Sequence, residues 1–133
     1  MCIRDRGQKL LRVADLMHVG KELPLIGLEA GMQQAILEIS AKTYGCVGIL
    51  DAKGDLAGII TDGDLRRHMG DDLLHRRASE VMTAHPRTIR PSALAAEALH
   101  VMNEKSITSL FVIEDGKPVG IVRMHDCLKA GVA

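Results

Sequence analysis

The chain contains itself twice. "VADLM" at residues 13–17 returns as "ASEVM" at 78–82, an offset of 65, and each copy carries an acid two places before the closing Met. A short extended piece follows, "LPLI" in the first copy and "RTI" in the second. "MQQAILEI" from Met32 then matches "AAEALHVM" from Ala95, an offset of 63, and "GIITDGDLRR" at 58–67 matches "GIVRMHDCLK" at 120–129, an offset of 62. Self-similarity at a nearly fixed period constrains the fold more than any local signal, because both copies must form the same supersecondary unit.

That unit is legible from its periodicities. Met32, Ala35, Ile36 and Ile39 in one copy, and Ala95, Ala98, Leu99 and Met102 in the other, fall at i, i+3, i+4 and i+7, which predicts one buried helical stripe in each. Behind each helix come two short apolar runs joined by a turn, "CVGIL DAKGD LAGII" and "SLFVI EDGKP VGIV", the pattern of a hairpin. Each second run leads into another helix, with Thr61 or Asp62 as N-cap of the first of these and Gly70 and Gly131 as C-caps. Each copy therefore reads strand, helix, strand, strand, helix, an α/β (α+β) fold class. The expected organisation is a first repeat over 7–70, a linker over 71–77 within "GDDLLHRRA", and a second repeat over 78–133. A half of this size cannot readily bury both faces of a three-stranded sheet, so the halves are expected to pack sheet against sheet about a pseudo-twofold axis.

Composition narrows the function. Lys and Arg together number 17, as do Asp and Glu, so no global field draws the 133-residue chain to nucleic acid or to an anionic membrane. No apolar run is long enough to span a bilayer and no signal peptide is visible. Three scattered cysteines, Cys2, Cys46 and Cys127, offer neither a disulfide framework nor a metal site, which fits a reducing cytoplasm. With one Phe, one Tyr and no Trp, a flat ligand ring would have to lie between aliphatic side chains.

The polar residues concentrate in the repeated turn. Gly58 lies within an apolar strand, where a glycine is useful if a backbone or a ligand must approach closely. Thr61 places a hydroxyl at the strand end, next to the free N–H groups of the following helix, a combination that suits a phosphate. Asp64 supplies two acceptor oxygens suited to a pair of ribose hydroxyls, and of Arg66 and Arg67 at most one faces the ligand. The plain alternative is that Thr61 and Asp64 only cap the helix. In the second copy Gly120 and Asp126 persist, Arg123 stands in place of the Thr, and His125 precedes the Asp. Two roles fit Arg123: bidentate binding of a phosphate, or filling the second cleft so that one site remains.

Catalysis is not expected of this stretch. His18, His68, His75, His85, His100 and His125 are scattered and mostly solvent-facing by position, His125 being the exception to watch, and there is no metal-ligand spacing, nucleophile elbow or P-loop.

Two copies of such a unit with Gly-x-x-Thr-x-x-Asp resemble a tandem CBS pair. More narrowly, "LLRVADLMH", "ITDGDLRRHM" and "MHDCLKAGVA" resemble the C-terminal half of bacterial arabinose-5-phosphate isomerases of the Kdo branch of lipopolysaccharide synthesis. The resemblance covers roughly 7–133; "MCIRDR" at 1–6 matches nothing in it and reads as a spurious or disordered start.

The resemblance implies a regulatory nucleotide site rather than a catalytic one, since in that family the isomerase reaction belongs to an N-terminal SIS domain. It implies binding of adenosine or related nucleotides in clefts between the halves, with CMP-Kdo or an adenine nucleotide as the regulator, no required cofactor and no metal. Gly58, Thr61, Asp64, Arg67, Arg123 and Asp126 are the expected ligand-binding residues, Arg123 departing from the family pattern. It further implies a homodimer through the CBS modules and a tetramer in the parent enzyme. The alternative is an assembly module that binds no ligand, with Met32, Met102 and Met124 as adaptable apolar contacts.

Overall fold

The computed structural model describes residues 11–42, 44–70 and 72–131. The start at 1–6 and Cys2 lie outside the described residues. In chain order the elements are α1 (Val13–Leu16), β1 (Leu25–Gly27), α2 (Met32–Ala41), β2 (Cys46–Leu50), β3 (Leu56–Thr61), α3 (Asp62–Arg67), α4 (Ala78–Val81), β4 (Thr83–Ala84), β5 (Thr88–Ile89), α5 (Ala95–Lys105), β6 (Ser109–Glu114), β7 (Lys117–Arg123) and α6 (Met124–Lys129), with short 3-10 turns at Gly20–Glu22 and Leu73–His75.

Residues Lys21–Pro86 form one compact unit. Its sheet runs β1-β2-β3-β4, with β1 parallel to β2 and the other pairs antiparallel. The parallel pair is bridged by α2, the long crossover that parallel strands require. Met32, Ala35 and Ile39 of the expected stripe are buried while Ile36 is half-buried. They pack on Ile26, Val47, Ile49, Ile60, Leu73, Ala78 and Val81. Between β2 and β3 the Asp51 carboxylate accepts from the Lys53 and Asp55 amides at 2.8 and 3.0 Å, a local bond that closes the turn.

The second unit combines the described residues up to Gly20 with the chain from Arg87 onward. Its sheet runs β5-β6-β7, parallel then antiparallel. Glu114 pairs with Lys117 across a two-residue loop in which Asp115 and Gly116 have φ of 54° and 82°. Positive φ at both central residues is the hairpin turn whose twist matches the strands, and Asp-Gly is suited to it. All four expected positions of α5, Ala95, Ala98, Leu99 and Met102, are buried, as is Val101. Of the expected C-caps, Gly131 follows α6 with φ of 86°, whereas Gly70 lacks a positive φ and α3 ends earlier, capped at His68.

Compact units and sequence repeats are cut differently. The helix that opens each sequence repeat packs in the unit built from the other repeat. Val13 of α1 is fully buried among Ile89, Leu99, Leu110, Val112 and Val122, and Ala78 and Val81 of α4 are buried with Ile26, Met32 and Ile60. Backbone bonds reinforce both attachments: the Val13 amide donates to Ala93 at 2.8 Å, and the Ala78 amide to Ala30 at 2.8 Å. After α4 the chain adds β4 to the edge of β3, so the first sheet has four strands. In each opening helix the acid before the closing Met serves the N-terminus. Asp15 accepts from the Arg12 amide and Glu80 from the Arg77 amide, each at 2.8 Å.

Met32 and Met102 are fully buried core and Met124 is partly buried, so the methionine stripe is consumed by packing. No helix among the described residues is long and apolar enough to cross a membrane. Val13→Ala is expected to lose about 1–3 kcal/mol. Hydrogen exchange should show the loss at β5–β7 amides with β1–β3 amides unchanged, although Val13 precedes β1 in the chain.

Candidate functional site

The first candidate site is the turn from β3 to α3. Thr61 is extended, with φ of −113° and ψ of 171°, and caps the helix. Its hydroxyl accepts from the Asp64 amide at 3.3 Å and donates to Asp64 Oδ2 at 3.2 Å, while the Thr61 amide donates to the same oxygen at 3.0 Å. Asp64 Oδ1 accepts from the Thr83 hydroxyl at 3.0 Å and from the Arg67 guanidinium. Asp64 is 2% exposed and is the buried charged residue of the described chain. A carboxylate withdrawn from water this far is costly unless its lone pairs are filled, and four donors fill them here.

Gly58 sits opposite the incoming segment. A Cβ there would lie 2.6 Å from Met82 Sδ and 2.8 Å from the Thr83 carbonyl oxygen. The glycine therefore admits the Met82–Thr83 backbone, the close approach its position in a strand suggested.

The second unit repeats the plan with other side chains. Asp126 Oδ2 accepts from the Arg123 amide at 3.1 Å and from Arg123 Nε at 3.2 Å, and Oδ1 accepts from Arg123 Nη2 at 3.0 Å. His18 Nε2 lies 3.0 Å from Asp126 Oδ2. A Cβ on Gly120 would lie 2.5 Å from Met17 Sδ and 3.1 Å from the His18 carbonyl oxygen. Thr61 and Arg123 thus occupy equivalent cap positions, and Thr83 and His18 equivalent partner positions.

Electrostatics distinguishes the residues further. Burial alone raises the Asp126 carboxyl, but bonds from Arg123 and His18 outweigh it and hold the group below the usual carboxylate range. Burial, aided by the Asp62 charge, pushes the Cys46 thiol up to about 12, and burial with the Asp126 charge raises Cys127. Neither is a thiolate nucleophile at neutral pH. Among the described residues no group of three or more His, Cys, Asp or Glu is placed to hold a metal ion.

Of the expected residues, Gly58, Thr61, Asp64 and Arg67 come together in one unit, and Arg123 and Asp126 in the other, beside Gly120. His125 is exposed, as is Arg66. The partners that sequence reasoning missed are Thr83 and His18. The available signal was that each directly follows the closing Met of "ASEVM" or "VADLM". Arg67 is 66% exposed on its side chain, so it is the Asp64 donor that solvent or a solute reaches most easily.

Each of these paired turns stands on its own mixed sheet, and the sequence model of the CBS domain matches residues 12–71 and 78–133: the chain belongs to the CBS-domain family. It is 46% identical over 126 residues to arabinose 5-phosphate isomerase KdsD of Pseudomonas aeruginosa, a match covering 92% of this chain and 39% of that enzyme. Identity to KdsD of Escherichia coli K12 is 43% over 129 residues, covering 95% of this chain and again 39% of the enzyme. The chain thus spans about two fifths of the length of these relatives. In fold it is similar to CBSX2 in complex with AMP, with a TM-score of 0.78 and 21% identity over 91% of this chain and 96% of that one. It is likewise similar to the CBS domain of a bacterial CNNM/CorC family Mg2+ transporter in complex with ATP, with a TM-score of 0.78 and 18% identity over 97% of this chain and 92% of that one.

Three substitutions test the geometry. Gly58→Ala should cost about 1–3 kcal/mol in urea denaturation, because backbone must move at the Thr83 carbonyl. Gly120→Ala should cost less, since the backbone carbonyl there, that of His18, lies at 3.1 Å rather than 2.8 Å and the nearer atoms belong to the Met17 side chain. For Asp126 the folded-state pKa lies below the unfolded one, so its contribution is present above about pH 4 and is lost as pH falls through the folded value. The stability gap between the native chain and Asp126→Asn should therefore be larger at pH 7 than at pH 3.

Proposed function

We propose that this chain is the regulatory, nucleotide-binding CBS portion of an arabinose-5-phosphate isomerase of Kdo and lipopolysaccharide synthesis, acting in the cytoplasm. The observation that carries this reading is the 46% identity to the Pseudomonas aeruginosa isomerase over nearly the whole chain. Catalysis is assigned to the part of such an enzyme that this chain does not span. AMP and ATP in the named complexes of structurally similar CBS proteins support a nucleotide as the ligand class. Within that class we favour an adenine nucleotide or CMP-Kdo, the latter as a feedback signal, bound by a homodimer of the module within a tetrameric enzyme.

The physical route is an exchange of donors at Asp64. Ribose hydroxyls are donors and can replace the solvent-facing Arg67 guanidinium on Oδ1, while Thr61 directs its hydroxyl to a phosphate oxygen. The released Arg67 then carries a free positive charge beside that phosphate. In the second unit Arg123 takes the cap position that Thr61 holds in the first, so that turn offers a guanidinium where the other offers a hydroxyl, and the two turns differ in the ligand groups they accept.

A thermal-shift series with AMP, ATP, CMP and CMP-Kdo tests the reading. A ligand at 100 times its dissociation constant should add about 2.7 kcal/mol, a rise of several degrees for a domain of this size. Thr61→Ala and Asp64→Asn, each compared with its own ligand-free Tm, should diminish that rise. If none of the four shifts Tm at millimolar concentration while sedimentation finds a stable dimer, the reading fails and the assembly-module alternative replaces it.

A further inference from the structure

The stretch from Leu11 to Gly20 precedes the first repeat's sheet in the chain, yet it is built into the second unit at two places. At its start, the Ala95 amide donates to the Leu11 carbonyl at 2.7 Å, the Val13 amide to Ala93 at 2.8 Å and the Ala14 amide to Pro91 at 3.0 Å. Fully buried Val13 adds an apolar anchor there. At its end, His18 and Ile121 exchange reciprocal backbone bonds of 2.8 and 3.0 Å, with Met17 lying over Gly120. Beyond this point Val19 is exposed and Gly20 turns with φ of 69°.

The second attachment is built differently. It carries one backbone bridge and no fully buried side chain of its own, and it ends on a polar contact, His18 Nε2 to Asp126 Oδ2 at 3.0 Å. The two side chains are 26% and 13% exposed, so water reaches the contact. Asp126 is also the carboxylate on which the Arg123 guanidinium closes the β7–α6 turn. One side chain therefore holds both the motif turn and the chain that arrives from upstream.

We infer that His18 and Asp126 form a latch, by which the state of the β7–α6 turn is transmitted to residues 17–20 and so to the chain around them. Whatever draws Asp126 toward another donor weakens the His18 bond and loosens the end of the segment, while the Val13 anchor keeps its start in place. The equivalent contact in the other unit, Thr83 to Asp64, joins a hydroxyl to a carboxylate already held by Thr61 and Arg67. A nucleotide as the trigger rests on the function proposed above; the latch itself does not.

Amide hydrogen exchange on the full chain tests it without any ligand. His18→Ala should speed exchange at the His18 and Ile121 amides roughly tenfold, with the Val13 amide and the Val47 and Ile60 amides of the other unit unchanged. Asp126→Asn should produce the same local pattern, and the double variant should add little to either single change. Thr83→Val, altering the equivalent contact in the other unit, should leave the His18 and Ile121 amides as they were. Unchanged exchange at those amides in His18→Ala overturns the inference, as does acceleration spread evenly over both units. Because these variants are compared without nucleotide, failure of the latch and failure of the sensing function give separate readouts.

Discussion

Two glycines without room for a Cβ set the terms for both units. At Gly58 the obstacle is a backbone carbonyl and a methionine, and at Gly120 a methionine with a carbonyl close behind. These approaches let Met82–Thr83 and Met17–His18 run against the middle of β3 and β7, and from there Thr83 and His18 reach the carboxylates at the strand ends. A side chain at either glycine would push that segment outward and lengthen the bond to Asp64 or Asp126. The packing constraint and the polar site are thus one arrangement, and the glycine serves the fold before it serves any ligand.

The carboxylates differ in how they are balanced. Asp64 is almost fully buried and is met by hydroxyl and amide donors, with one exposed guanidinium added from α3. Asp126 is more open and is met by two basic side chains, Arg123 and His18. Each carboxylate is thus met by one guanidinium, Arg67 or Arg123, and displacing either requires other donors to take its place. Duplicated turns have in this way acquired unequal chemistry.

The capping role of Thr61 and Asp64 is realised in full geometry. A reciprocal cap fixes the position of the Thr hydroxyl and the carboxylate before anything arrives, so their entropy of ordering is already spent. Arg67 stands outside that cap, with a side chain that is mostly exposed.

The sequence by itself determined the local units: the two helical stripes at Met32–Ile39 and Ala95–Met102, the Asp-Gly hairpin, the terminal Gly131 cap and the paired Gly, Thr/Arg and Asp positions. Each rests on contacts between residues a few positions apart, which periodicity and turn chemistry report directly. Only the tertiary structure decided that α1 packs with β5–β7 and α4 with β1–β3, that β4 extends the first sheet, and that Thr83 and His18 complete the carboxylate sites. Those partners lie 19 and 108 residues from the aspartates they bind. A repeated pattern states which segments are alike, but like segments fit either unit equally well; burial of Val13, Ala78 and Val81 in particular cores is what breaks the tie.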